Sequence, residues 1–348
     1  MPLQRLKANP LLTPSDVKPT RDDLKVLCTL NPAAVRFDGQ TLLLVRVGES
    51  AADTADAVAA LYYDPEAGIE EVRYIRRDDP DLDLSDPRGY YLRGKMLLTS
   101  MSHLRLARSS DGEHFTFDPQ PAIFPATPYE SFGCEDPRIT LIDGTYYVCY
   151  TAVSPRGVCV AMASTGDFVT FQRHGIIFPP YQKDVCLFPQ KVGGQYVCRH
   201  RPYRNEFNDA SIWTAYSPDL QCWGRHELTL TPTVGTWEAG RVGAGAPPIR
   251  TDEGWLEIYH AADAGGTYHL GAMLSDLEQP HRVLSRSSTP VFSPEAEYEL
   301  KGLYANCVFS NGLVVADDGT LTVYYGAADR ICAAAVTTVD EMIAAARS

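Results

Sequence analysis

What most limits the fold of this chain is a repeat. Five times a turn pair opens onto an apolar run: "DGQTLLLVRV" from Asp38, "DGTYYVCYTA" from Asp143, "GGQYVCRHRP" from Gly193, "EGWLEIYHAA" from Glu253 and "DGTLTVYYGAAD" from Asp318. Companion runs carry marker serines at Ser109, Ser164, Ser217 and Ser275, spaced by 55, 53 and 58 residues. Asp-Gly and Gly-Gly beside β-branched and aromatic residues are hairpin signals. Several strands per unit, recurring at such a period, signal a β-propeller. A two-sheet sandwich supplies strands and turns but does not explain the self-similarity. The spacing admits five or six units, because an early hairpin, "AALYYDPEAG", and a last half-unit both count. Strands from the two chain ends can share one unit. Only "TVDEMIAAARS" has a helical pattern, which predicts a short C-terminal helix. The acidic stretch "RRDDPDLDLSDPRG", residues 76–89, reads as a surface loop over the mouth.

Charge and cysteine usage narrow the function. A net charge of −13 argues against nucleic acid or an anionic membrane as the main partner. No run approaches the roughly 18 apolar residues of a bilayer span, and the start lacks the apolar core of a signal peptide. The expected location is cytoplasmic. Nine cysteines form no CxxC pair; neither a disulfide framework nor a metal centre is expected, and no cofactor.

Within this scheme the charged residues in strand-like runs stand out, since buried strand positions rarely carry charge without a partner or a task. Arg46 interrupts "LLLVRV"; His103 and Arg105 sit in "TSMSHLRLARS"; His200 and Arg201 end "YVCRHRP"; Arg241 precedes "VGAGAPPI"; His260 ends "LEIYH"; Asp329 ends "YYGAAD". Each alone reads as an ion pair or a satisfied core group. Together they fall at the ends of strands in successive units, where a propeller gathers residues around its funnel. Lys183, Arg201, Arg241 and His260 would form a cationic nest in an acidic protein, suited to an oxyanion such as phosphate.

"CEDPRIT" places Glu135, Asp136 and Arg138 around Pro137 at a strand mouth. On an extended strand, neighbours face opposite sides. Glu135 and Asp136 are therefore not expected to act as a pair on one substrate, and Arg138 is expected to orient a carboxylate.

These motifs resemble glycoside hydrolase family 130, the inverting β-mannoside phosphorylases and related mannosidases. The likeness runs from "NPAAVRFDGQTLLLVRV" to "VYYGAAD" and is most specific in "LTSMSHLRLARSSDGEHF", "CEDPRIT", "KDVCLFPQK", "HRP", "GAGAPPIRTDEGWLEIYH" and "CVFSNG". The resemblance implies a single all-β catalytic domain over residues 1–348, a five-bladed β-propeller with a short C-terminal helix. It implies Asp136 as the catalytic acid, its proton passing through the 3-hydroxyl of the mannosyl unit. Lys183, Arg201, Arg241 and His260 would bind phosphate. Asn31, Arg46, Ser102, Arg105 and Asp329 would cradle the mannosyl unit. Arg241 departs from the lysine usual at its position, which exchanges a point charge for a planar fork.

The activity so implied is phosphorolysis of short β-1,2- or β-1,4-mannosides, with inorganic phosphate as co-substrate and α-mannose 1-phosphate as product. A glycosidase needs two carboxylates; a phosphorylase can drop the base, because phosphate arrives as an anion. A β-mannosidase would recruit a glutamate such as Glu130, Glu238 or Glu257 as base. A non-catalytic sugar-binding propeller would need neither Asp136 nor the cations. The loops at 78–88 and 204–209 are expected to shape the acceptor site. The oligomeric state stays open, although the resemblance implies homo-oligomers whose loops border a neighbour's site.

Overall fold

Hairpins close where the turn pairs predict them. Asp38 and Gly39, with φ of 47° and 73°, link strand Leu24–Phe37 to Gln40–Ala51, and Phe37 pairs with Gln40. Asp143 and Gly144, at 49° and 80°, do the same between Gly133–Ile142 and Thr145–Ser154. Two left-handed residues twist the chain in the sense that the flanking strands already have.

The computed structural model describes residues 2–85, 89–207 and 209–348, and their regular secondary structure is almost entirely β-strand. Strands Gly133–Ile142, Thr145–Ser154, Gly157–Thr165 and Gln172–Phe178 pair in sequence, each antiparallel to the next. They join Leu24–Phe37, Gln40–Ala51 and Met101–Ser109 through one parallel contact, Gly133 with Ser102. Only glycine allows that approach: at φ 123° a Cβ on Gly133 would lie 2.6 Å from the Ser102 nitrogen. A second sheet holds Gln182–Leu187, Tyr196–Pro202, Ile212–Ser217 and Gly224–Leu230. A third holds Arg241–Gly243, Gly254–Ala262, Tyr268–Ser275 and Val283–Arg286. In the last sheet Gln4–Arg5 pairs with Ile331–Thr338, next to Thr320–Ala327 and Val308–Val315. The two ends of the chain thus share one sheet.

The apolar core forms seams between neighbouring sheets. Leu256, Ile258, Leu270 and Leu274 of the third sheet pack against Leu321, Val323, Tyr325 and Ala333 of the last. Ile142, Cys149 and Met162 meet Val185, Leu187, Cys198 and Ala215 in the same way. At about 1.5–3 kcal/mol for each large aliphatic side chain removed from water, these seams hold the sheets side by side and leave the middle free for polar groups.

The predicted C-terminal helix is Val339–Ala346, with Thr338 as N-cap and Glu341 completing a capping box. The described part of the acidic stretch is mostly exposed turn and loop, with one short strand, Leu82–Asp83. Leu82–Asp83, Gly89–Leu92 and Lys95–Leu98 form a small sheet, inserted with the hairpin Ala57–Asp64 and Ile69–Arg76 between Gln40–Ala51 and Met101–Ser109. Residues 86–88 of the first expected acceptor loop, and residue 208 of the second, lie outside the described residues. No helix among the described residues is long and apolar enough to cross a membrane.

Candidate active site

The polar residues that converge are aimed by a backbone irregularity that recurs. The strands Leu24–Phe37, Gly133–Ile142 and Gln182–Leu187 each slip register against their partner, between Leu30 and Ala33, Glu135 and Arg138, and Lys183 and Cys186. In each slip sits one left-handed polar residue: Asn31 at φ 48°, Asp136 at 47° and Asp184 at 55°. Asn and Asp tolerate that region better than other residues with a Cβ, and a bulge re-aims the side chain it carries.

The result is a cavity of about 800 Å³. Its lining includes Asn31, Arg46, Glu135, Asp136, Lys183, Asp184, Arg201, Arg241 and Asp329. Asp136 is almost wholly buried. Its Oδ1 accepts from Asn31 Nδ2 at 2.8 Å and from Arg46 Nη1 at 3.0 Å. Its Oδ2 lies 3.8 Å from Lys183 Nζ, an ion pair beyond hydrogen-bond reach. Arg46 also donates Nη2 to Glu135 Oε1 at 2.8 Å and Nε to Ser102 Oγ at 3.0 Å. The bulge therefore overturns the strand expectation: Glu135 and Asp136 do not face opposite sides but share one guanidinium.

Burial by itself would raise the Asp136 carboxyl, but Arg46, Lys183, the Asn31 hydrogen bond and Arg138 outweigh it and hold the group down at about 2. Lys183 shows the mirror case. Burial works to lower it, and its neighbours Tyr203, Asp136, Glu135 and Asp184 hold it above the usual lysine range. In the free protein both groups are ionised.

Next to this pair lies a second carboxylate with both oxygens taken. Asp184 Oδ1 accepts from Arg138 Nη2 at 3.2 Å; Oδ2 accepts from Arg201 Nε at 2.6 Å and lies 3.4 Å from His260 Nε2. Arg138 spends its other donors on the main-chain carbonyls of Asp136, Ala244 and Gly245, at 3.0, 2.9 and 3.3 Å. The carboxylate that Arg138 orients is Asp184, whereas at Asp136 it grips the backbone. Arg241 donates to the Tyr268 hydroxyl at 3.0 Å.

A family model described as beta-1,4-mannooligosaccharide phosphorylase matches residues 88–347. The beta-1,2-mannobiose phosphorylase of Listeria innocua is 40% identical to this chain over 99% of it and 98% of that protein. The chain belongs to glycoside hydrolase family 130. A solved structure of the Listeria innocua beta-1,2-mannobiose phosphorylase, in complex with beta-1,2-mannobiose, superposes with a TM-score of 0.96 over 99% of both chains, at 39% identity. The 1,2-beta-oligomannan phosphorylase of a Thermoanaerobacter species is 41% identical over 70% of this chain and 80% of its own.

Not every residue singled out by the family-130 resemblance reaches the cavity. Ser102 sits behind Arg46 and fixes its Nε. Arg105 is directed away, with Nη1 donating to the Lys18 carbonyl at 2.9 Å and Glu49 as the carboxylate that acts on its charge. His260 is fully buried behind Asp184, and burial pushes it down to about 4 against the pull of Asp184. It is a neutral imidazole, so the cationic nest consists of Lys183, Arg201 and Arg241. The glutamates named as bases are all engaged elsewhere. Glu130 binds Tyr150 and Arg173; Glu238 binds Tyr259 and Arg286; Glu257 binds Arg199 through both oxygens. None of the three lines the cavity.

Sequence reasoning missed the aromatic wall, Tyr90, Tyr203, Tyr268 and Tyr304. These tyrosines stand in mixed, motif-free stretches, Tyr203 between Pro202 and Arg204 and Tyr268 between Thr267 and His269, where nothing local shows which of them faces the funnel. The role of Asp184 had a usable signal: "KDVC" repeats the polar pair of "CEDP" one unit later.

Proposed function

We propose that this protein is an inverting β-mannoside phosphorylase, with β-1,2-linked mannobiose or short oligomannosides as substrates. The observation that carries this reading is Asp136 in one cavity with Lys183, Arg201 and Arg241, while Glu135 is paired with Arg46, Asp184 with Arg138 and Arg201, and Glu130, Glu238 and Glu257 are engaged outside the lining. The full-length similarity to a beta-1,2-mannobiose phosphorylase favours that linkage.

In the proposed reaction an oxygen of inorganic phosphate attacks the anomeric carbon, held by Lys183, Arg201 and Arg241. The bond from that carbon to the glycosidic oxygen breaks on the opposite face. The departing oxygen takes a proton that Asp136 supplies through the sugar 3-hydroxyl. The products are α-mannose 1-phosphate and a sugar shortened by one unit. Arg46, Asn31 and Asp329 hold the mannosyl unit and keep Asp136 in place, and no metal or cofactor is required. The fold reading that goes with it is a five-bladed propeller forming a single domain over residues 1–348. Its closing blade is the sheet built from both chain ends, and the eight-stranded sheet counts as two blades joined at Gly133. All nine cysteines are unpaired, which suits a cytoplasmic enzyme.

The test is incubation with β-1,2- and β-1,4-mannobiose, with and without phosphate, assaying mannose 1-phosphate. Product that forms only with phosphate is expected. Free mannose, released at a rate indifferent to phosphate, refutes phosphorolysis and leaves a mannosidase; no turnover of any β-mannoside leaves a binding protein.

A further inference from the structure

Asp184 is an odd residue to find at an anion site. A buried carboxylate there repels the ligand that Lys183, Arg201 and Arg241 would attract. By charge alone, removing it should improve the site.

Its geometry argues the other way. Asp184 is 1% exposed and held left-handed in the bulge between Lys183 and Cys186. Oδ2 grips Arg201 by Nε at 2.6 Å, and a guanidinium fixed at Nε is fixed in its plane, its two Nη groups aimed together. Oδ1 meets Arg138, which in turn ties down the backbone of Asp136 and of residues 244 and 245. One carboxylate thus links three strands that carry site residues: Gly133–Ile142, Gln182–Leu187 and Tyr196–Pro202.

Space for this arrangement is made by Gly243. A Cβ there would lie 2.6 Å from Asp184 Oδ2 and would also strike the His260 ring. The φ of Gly243 is not in the left-handed region, so the glycine answers to side-chain room and not to backbone conformation.

We infer that Asp184, in the space left by Gly243 and backed by the His260 ring, is a positioning residue that sets Arg201 for the incoming phosphate. The inference rests on reading this cavity as a phosphate site, and it reverses the sign that charge alone predicts.

The experiment is calorimetric titration of inorganic phosphate into wild type, Asp184→Asn, Asp184→Glu and Gly243→Ala, each first checked for native circular dichroism. Losing the alignment of one charge-assisted donor should weaken phosphate binding about tenfold or more. The KM for mannoside at saturating phosphate should stay within about twofold. A folded Asp184 variant that binds phosphate as tightly as wild type, or tighter, overturns the inference. If Asp184→Asn does not fold, Asp184→Glu keeps the charge, displaces it by one methylene and decides. If neither folds, Gly243→Ala decides by the same criterion. Wild type that binds no phosphate overturns the proposed function instead.

Discussion

In the free protein Asp136 holds the wrong charge for an acid. Its carboxyl is held at about 2, so at neutral pH it has no proton to give. The proposed reaction therefore requires the ligand to restore one, and the structure says how much a dianion can do. An oxyanion hydrogen-bonded to Lys183 would sit about 2.8 Å from Nζ, which itself lies 3.8 Å from Asp136 Oδ2. That puts the added charge about 6 Å from the carboxylate. At an effective dielectric constant near 20 each unit charge costs the ionised form about 3 kcal/mol, or about 2 pKa units. A dianion should raise Asp136 from about 2 to about 6. Sulfate is the clean probe, because it carries the charge and does not titrate in this range. Calorimetry at pH 5.5, in buffers of different ionisation enthalpy, should show uptake of roughly half a proton or more per sulfate. The sign is fixed by linkage: the complex holds more protons than the free protein, so sulfate must bind more tightly as pH falls from about 7 to about 5. Asp136→Asn should bind sulfate without that uptake. Wild type that takes up no proton, or a variant that takes up as many, refutes the reasoning.

Three further outcomes are expected. Asp136→Asn should lower kcat for mannose 1-phosphate formation by about 10²–10⁴, measured with phosphate and mannobiose both saturating. Asn31→Ala removes the 2.8 Å hydrogen bond to the carboxylate, worth about 1.5–3 kcal/mol. The midpoint of the sulfate-linked proton uptake should then move up by about one to two pH units, read in the same titrations. Glu257→Gln breaks the buried pair with Arg199, neither of which lines the cavity, and should cost about 3–5 kcal/mol in urea unfolding. Its KM values should match wild type; a loss of turnover in the folded variant would make Glu257 a base.

The sheets were readable in the sequence because hairpin turns and alternation are local. Asp38-Gly39 and Asp143-Gly144 declare their hairpins through residues that accept positive φ. The bulges were not readable, because a register slip belongs to a pair of strands and not to one. Hence alternation put Glu135 and Asp136 on opposite faces, while the slip at Asp136 brings both to Arg46. Charge in a strand marks a residue with a partner or a place in the cavity, but does not say which. Arg46, Lys183, Arg201 and Arg241 reach the cavity; Arg105 serves a carbonyl at Lys18. His260 carries a residue type that suggests a cation and an environment that removes the charge, and environment is what a single sequence does not display. Arg199, one residue from His200, drew no attention, although it is fully buried and holds two sheets together through Glu257.

The three left-handed residues show why a recurring backbone device does not dictate a recurring role. Asn31, Asp136 and Asp184 occupy similar bulges and all line the cavity. What separates the two carboxylates is how many of their oxygens are already spoken for. Asp184 has Arg138 on one oxygen and Arg201 with His260 at the other; protonating it would strand two buried guanidinium groups, which costs several kcal/mol. It can organise but not exchange a proton. Asp136 has two hydrogen bonds on Oδ1, from Asn31 and Arg46, while Oδ2 has Lys183 at 3.8 Å, beyond hydrogen-bond reach. A proton on Oδ2 displaces no hydrogen bond, and Glu135 remains to compensate Arg46. Of the two buried aspartates, only Asp136 can change its charge without dismantling the cluster that holds it, and that favours it as the acid of the proposed reaction.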